Sequence, residues 1–167
     1  MRNPLSIYSI WRGDRNPELR GTTGRIFERE VLGECLIRSH GYVKFRPALE
    51  AVFRNQPGST FEPMGEAANF RDAVAAKMRE MGFDSSRLQL YTAVGSALDV
   101  FHKIDGFFVF EGTIVTLDTT TNPHKDCAPR ARVLVTAEDA IIGYQQSAAE
   151  IAGWFNHAKA CGQKGVI

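Results

Sequence analysis

The sequence has few cysteines, no long apolar run and almost no net charge, and each absence removes a class of protein. Its three cysteines, Cys35, Cys127 and Cys161, form no closely spaced pair, which argues against a metal finger and favours the reducing cytosol. No apolar run reaches the roughly 18 residues of a membrane span, and the N-terminus lacks the apolar core of a signal peptide. We therefore expect a cytoplasmic protein without a membrane segment.

Glycine-rich phosphate loops are also absent. Neither GxxxxGK[ST] nor GxGxxG occurs, which makes an NTPase or a dinucleotide enzyme a poor match. The net charge of +1 does not by itself indicate a nucleic-acid binder. Lys and Arg nevertheless outnumber the acids in residues 1–54, so this region either contacts phosphates or forms an ordinary solvated surface.

The 167 residues, with 44% hydrophobic and 23% charged side chains, suffice for one domain with a real core. We predict an N-terminal arm over residues 1–21 and one α/β domain over 22–167, with a central mixed β-sheet and helices on both faces. Turn signals and periodicity predict helices at 23–39, 47–54, 63–81 and from 136 onward, and strands at 42–45, 88–93 and 132–135.

The segment from Phe101 to Thr121 predicts a β-hairpin, because two apolar and aromatic runs meet at Glu111-Gly112. If these two residues form the loop, Phe110 faces Thr113 and, further along, Asp105 faces Asp118. Two carboxylates then share one face of a sheet that is otherwise built for burial. Buried acids are costly unless they are paired or bind a metal, so the hairpin is a candidate divalent-metal site.

A third acid approaches from the first predicted helix. Glu28 lies near the middle of its apolar face, where it either binds with the hairpin acids or reaches solvent and pairs with an arginine. In the predicted register Lys103 faces Thr120, beside the two aspartates. Carboxylates suit Mg²⁺ or Mn²⁺, and a nearby lysine can orient water or neutralise a phosphate. A register slip of one residue would separate the two aspartates.

A helix with an inward acid, a strand with Asp, a hairpin and a second strand with another acid resemble the PD-(D/E)XK nuclease superfamily, which has the restriction-endonuclease-like fold. The resemblance spans roughly residues 22–142. It implies that Glu28, Asp105 and Asp118 hold Mg²⁺ or Mn²⁺ for hydrolysis of phosphodiester bonds in DNA. The acid of the (D/E)XK motif is followed by Thr119 and then Thr120, so the position of the motif lysine holds a threonine.

Two lysines can replace the missing one. Lys103 faces position 120 across the hairpin and is favoured on geometry, while Lys125 follows the strand and can fold back. Arg25 and Arg29 flank Glu28 and are candidates for phosphate contacts, and His124 and Thr120 are candidates for substrate contacts. Asp99 either closes a turn or adds a further ligand.

Two alternatives remain open. The chain is a degenerate nuclease fold that binds nucleic acid or another protein without cutting, or an unrelated α/β protein whose hairpin acids are structural. Trp154 and Phe155 either pack in the core or form a surface for a homodimer or larger assembly.

Overall fold

The structure is a computed structural model that describes residues 17–56, 63–122 and 124–162. For residues 17–23 only the backbone is considered. Its helices are α1 (Pro17–Leu32), α2 (Phe45–Asn55), α3 (Glu66–Glu80), α4 (Ala97–His102), α5 (Ala137–Ile141) and α6 (Gln145–Ala160), with a 3₁₀ turn at Ser85–Arg87. Its strands are β1 (Gln89–Thr92), β2 (Gly106–Phe110), β3 (Thr113–Thr120) and β4 (Val133–Thr136).

The four strands form one mixed sheet in the order β1-β2-β3-β4. The first three pair antiparallel, and β4 pairs parallel to β3. Helices cover the sheet on both faces, because the alternating side chains of the strands feed two separate buried clusters. The predicted α/β class with a mixed central sheet is confirmed.

The two faces of the sheet differ in their helices. Phe108 and Leu117 point to the layer of α1, α3 and α6, where the ring of Phe70 meets that of Phe108 at 5.2 Å. Phe107 points to the opposite layer of α2 and α4, where it stacks on Tyr91 at 5.0 Å. Asp105 immediately precedes β2, and Asp118 lies two residues before the end of β3. Both acids therefore lie at the same end of the sheet.

The predicted hairpin register is confirmed within the paired residues, which run from Phe110 opposite Thr113 to Gly106 opposite Leu117. Glu111 and Gly112 have φ angles of 49° and 81°. Positive φ at both loop residues is the type I′ geometry that matches the twist of the flanking strands.

The first helix ends earlier than predicted. It stops at Leu32 rather than Ser39, because Gly33 adopts a φ of 76° and its N–H donates to the Arg29 carbonyl at 2.8 Å. The sequence pattern continued past this glycine and concealed the stop. The predicted strand at 42–45 is also wrong: residues 33–44 form neither helix nor strand, and α2 begins at Phe45.

The strand predicted from Phe101 is a helix at its beginning. The hydroxyl of Ser96 accepts a hydrogen bond from the Leu98 N–H at 3.2 Å and caps α4. Lys103 ends the helix with a left-handed φ of 57°, and β2 starts only at Gly106. Only Phe101 and Ile104 are apolar in 101–105, too few to define a period, so the cap decided the outcome.

The remaining differences concern the ends of elements. Residues 1–16 of the predicted arm lie outside the described residues, and α1 already begins at Pro17. The last predicted helix divides into α5 and α6 where Gly143 and Tyr144 take positive φ angles. Among the described helices, none combines the length and apolar character that crossing a membrane requires.

Candidate metal centre

Three acids from three different elements converge at one end of the sheet. Glu28 comes from α1, Asp99 from α4, and Asp105 lies just before β2. One oxygen of each carboxylate lies within 4.8 Å of the others. The sequence separates these residues widely, so packing of α1 and α4 against the sheet creates the cluster.

Asp105 is held firmly in this cluster. It is 3% exposed, and its Oδ2 accepts hydrogen bonds from the Thr119 backbone N–H at 2.7 Å and the Thr119 hydroxyl at 2.8 Å. Burial raises the pKa of the Asp105 carboxyl well above its usual range, and the charges of Glu28 and Asp99 raise it further. The two Thr119 hydrogen bonds act in the opposite direction. The position of this carboxylate is thus fixed, while its charge depends on the two neighbouring acids.

Glu28 is half-buried, as is Asp99. Burial raises the pKa of Glu28 from 4.5 to about 7, with further increases from the charges of Asp99 and Asp118. Lys125 and Arg25 lower the pKa, but do not offset the other effects. Of the two alternatives for Glu28, the inward position is observed, with the carboxyl half-buried beside Asp99 and Asp105.

Asp99 closes a turn and also lies in the acidic cluster. Its Oδ2 accepts a hydrogen bond from the Gly95 N–H at 2.8 Å, which closes the turn before α4. The same carboxylate belongs to the acidic cluster. Ser96 followed three residues later by Asp99 is the pattern of a helix N-terminus, and it was the available signal that α4 brings this acid inward.

Asp118 binds a different set of partners. Its Oδ1 accepts from Lys125 Nζ at 2.7 Å and its Oδ2 from the Ala128 N–H at 3.2 Å. The aspartate is 2% exposed and the lysine 39%. Asp118 raises the pKa of Glu28, but it is not part of the group within 4.8 Å. The acids within 4.8 Å of one another are therefore Glu28, Asp99 and Asp105. Asp118 contacts Lys125 instead, and its role as a metal ligand stays a prediction.

The two candidate lysines differ in position. Lys103 was favoured as a strand residue beside the aspartates, but it terminates α4, and its Nζ donates to the Val100 carbonyl at 3.1 Å on the exposed side of that helix. Lys125 folds back from the β3–β4 loop onto Asp118. Thr120, at the position of the motif lysine, is 7% exposed and accepts a hydrogen bond from the Asn122 N–H.

The other candidate residues are exposed. Arg25 is exposed and its charge lowers the pKa of Glu28. Arg29 forms an exposed ion pair with Glu34 at 2.9 Å. His124 is exposed on the β3–β4 loop, and its backbone N–H donates to the Asn122 side chain at 3.0 Å.

The chemistry of the cluster follows from its donor set. Three carboxylates at this separation repel one another unless they bind protons or a cation. Their hard oxygen atoms suit Mg²⁺ or Mn²⁺ and leave further coordination positions for water and a phosphate. The residues therefore fit a divalent ion. Lys125 lies near enough for its charge to lower the pKa of Glu28, whereas its partner Asp118 raises that pKa.

Comparison of the chain with family models, with curated proteins and with solved structures found no match.

Proposed function

We propose that this protein is a divalent-metal-dependent nuclease that hydrolyses phosphodiester bonds in DNA. The observation that carries the proposal is the group of Glu28, Asp99 and Asp105 within 4.8 Å, two of whose members have a raised pKa. Strongly perturbed carboxylates that converge from separate elements are typical of a functional site.

The order of the elements supports the same class. PD-(D/E)XK nucleases have a similar order of elements. Here it consists of a helix with an inward acid, an aspartate before the first hairpin strand and a buried aspartate on the second strand. Lys125 lies seven residues after Asp118, instead of two, yet its ammonium contacts that acid at 2.7 Å. We infer that Lys125 fills the role of the motif lysine.

In the proposed mechanism, Glu28, Asp99 and Asp105 hold Mg²⁺ or Mn²⁺. The ion supplies charge stabilisation for the phosphate and lowers the pKa of a bound water. Lys125 offsets the negative charge that grows on the phosphate and orients the attacking water. That water gives up its proton to solvent as its oxygen bonds to phosphorus. The bond to the leaving oxygen then breaks, and this oxygen takes a proton from solvent.

The test is cleavage of plasmid and of single-stranded DNA with Mg²⁺ or Mn²⁺, compared with metal binding by the same samples. We expect binding and cleavage in the wild type, and loss of both in Asp105→Asn. Ile142→Ala, an exposed change elsewhere on the surface, is the matched control. Absence of metal binding by the wild type would refute the proposal.

A degenerate nuclease fold that binds nucleic acid or a protein without cutting it is the second candidate. Its supporting observation is the buried Thr120 at the position of the motif lysine, which removes a charge from that part of the strand. Metal binding without cleavage of any tested DNA would favour this candidate.

We further propose that the protein acts in the cytoplasm. The proposal rests on three cysteines that are free in the structure. Of the two alternatives for Trp154 and Phe155, packing in the core is observed, because Phe155 is buried and Trp154 packs against the buried core cluster. These two residues give no support to a homodimer or larger assembly, which stays a prediction.

A further inference from the structure

A row of ring systems lies on the exposed surface next to α4. The rings of Phe101 and Tyr42 meet edge to face at 5.5 Å, and Tyr42 lies 5.9 Å from the ring of His102. His102 in turn meets Phe45 at 5.5 Å, and the guanidinium of Arg130 lies 4.8 Å from the Phe45 ring centre. We call these five residues the aromatic ribbon.

The ribbon is open to solvent where it could meet a ligand. Tyr42 is 67% exposed and Phe101 40% exposed. Aromatic side chains bury large areas when they have partners, so rings exposed together in this way form a surface that can stack another flat group. The ring of neighbouring His102 forms a 2.7 Å hydrogen bond with the Val43 carbonyl. This bond connects residues 42–45 with residues 101–102, the two segments that supply the rings.

Two grooves share residues with the ribbon. The first has a volume of about 380 Å³ and is lined by Tyr42, Arg38 and Ala97 among others. The second has a volume of about 240 Å³ and is lined by Phe45 and Arg130 among others. Each groove therefore shares a ring with the ribbon and contains an arginine.

Exposed cations lie beside the ribbon in the sequence. Lys44 and Arg46 flank Phe45, and both are exposed. Arg38 is exposed too, but its guanidinium forms an ion pair with Glu34 at 2.7 Å, so Lys44 and Arg46 supply the positive charge. Exposed cations between exposed rings are the pattern that binds single-stranded nucleic acid, because the cations follow the phosphates while bases stack on the rings. A duplex does not offer its base faces in this way.

The ribbon is also close to the acidic cluster. Phe101 and His102 belong to the same short helix as Asp99, so they lie within about one helix diameter, roughly 10 Å, of that acid. Arg38 lies between the ribbon and the cluster. It lines the first groove, and its guanidinium is so close to Gly95 that a methyl group added there would come within 2.6 Å of it. The N–H of Gly95 in turn donates a hydrogen bond to Asp99.

We propose that the aromatic ribbon binds a single-stranded segment of nucleic acid and delivers it to the acidic cluster. The strand is the substrate of the nuclease, an identification that rests on the proposed function. Bases stack on Tyr42 and Phe101, and the backbone passes Arg38 toward Asp99. The substrate class is therefore unpaired strands or unpaired ends, and the ring surfaces accept any base sequence.

The test measures binding of a short fluorescent oligodeoxythymidine strand, and of a duplex of equal length, in EDTA so that no cleavage occurs. We expect the wild type to prefer the single strand, and Tyr42→Ala and Phe101→Ala each to weaken its binding about tenfold. Tyr42→Phe keeps the ring and should bind as the wild type does. Met64→Ala, which removes an apolar side chain that is 85% exposed beside α3, is the matched control.

Equal affinity for the duplex, or unchanged strand binding by Tyr42→Ala and Phe101→Ala, would overturn the proposal. So would a wild-type dimer that Phe101→Ala converts to a monomer without any effect on strand binding. Asp105→Asn is expected to keep strand binding, which separates the two proposals. Failure of metal-dependent cleavage with this binding pattern intact would overturn the nuclease function, whereas cleavage without the pattern would overturn the ribbon.

Discussion

At the scale of single residues, Glu28 responds to pH near neutrality. Its pKa is raised to about 7, and a protonated carboxyl is a poor metal ligand. We expect Mn²⁺ affinity to increase as the pH rises from about 6 to about 8, with protons released on binding. Calorimetric titrations in buffers of different ionisation enthalpy measure both quantities. A pH-independent affinity in this range would contradict the assignment of Glu28.

The same raised pKa makes a prediction for the metal-free protein. The folded state holds the Glu28 proton up to about pH 7, whereas the unfolded state releases it near 4.5. The folded state then binds more protons in this window, so the free energy of unfolding decreases as pH rises through it. Urea denaturation in EDTA should show that Glu28→Gln removes part of this decrease. Glu30→Gln, an exposed acid in the same helix, is the control and should leave the decrease unchanged.

The two lysines give a matched pair of substitutions. Lys125→Ala removes the only contact that the structure describes between a lysine ammonium and Asp118, and we expect cleavage to slow by about 10² or more. Lys103→Ala changes an exposed helix end and should retain nearly full cleavage. Single-turnover rates at saturating metal measure both. Equal loss in the two variants would show that Lys125 has no special role.

At the scale of elements, the hairpin turn requires positive φ angles. Gly112 has a φ of 81°, so Gly112→Ala should destabilise the protein by about 1–2 kcal/mol. Gly153→Ala is the opposite control: it lies within α6 with no atom near an added methyl, and the better helix propensity of alanine should stabilise the fold by about 0.5–1 kcal/mol. Chemical denaturation measures both changes. Equal signs for the two variants would contradict the turn assignment.

Local signals explain which elements were predictable. Gly82 follows the end of α3. At the start of α5, the hydroxyl of Thr136 accepts a hydrogen bond from the Asp139 N–H at 3.2 Å. Both residue types are recognisable in the sequence as helix-end signals. The early end of α1 and the helix α4 were missed because competing apolar patterns extended over them. At both places a single residue, Gly33 or Ser96, decided the local conformation.

At the scale of the whole molecule, the acidic cluster connects α1, α4 and the start of β2. A cation that binds only the folded state should therefore stabilise the entire domain. At a metal concentration about 100 times its dissociation constant, we expect roughly 2.7 kcal/mol of added stability. Thermal or urea unfolding with and without Mg²⁺ measures this difference. The free energy of unfolding of Asp105→Asn should be almost the same with and without Mg²⁺. An equal increase in the wild type and in Asp105→Asn would indicate a nonspecific salt effect.

The sequence by itself determined the α/β class, the hairpin register and the place of Glu28 on the apolar face of the first helix. These follow from apolar periodicity, a two-residue turn and the face of one helix, all of which act over a few residues. Only the tertiary structure decided which acids meet and which lysine lies beside them. Asp99 joins Glu28 and Asp105, and Lys125 rather than Lys103 reaches Asp118, because these contacts depend on how α1, α4 and the β3–β4 loop pack around the end of the sheet. No local pattern encodes that packing, since each contact joins residues whose positions are set by separate elements.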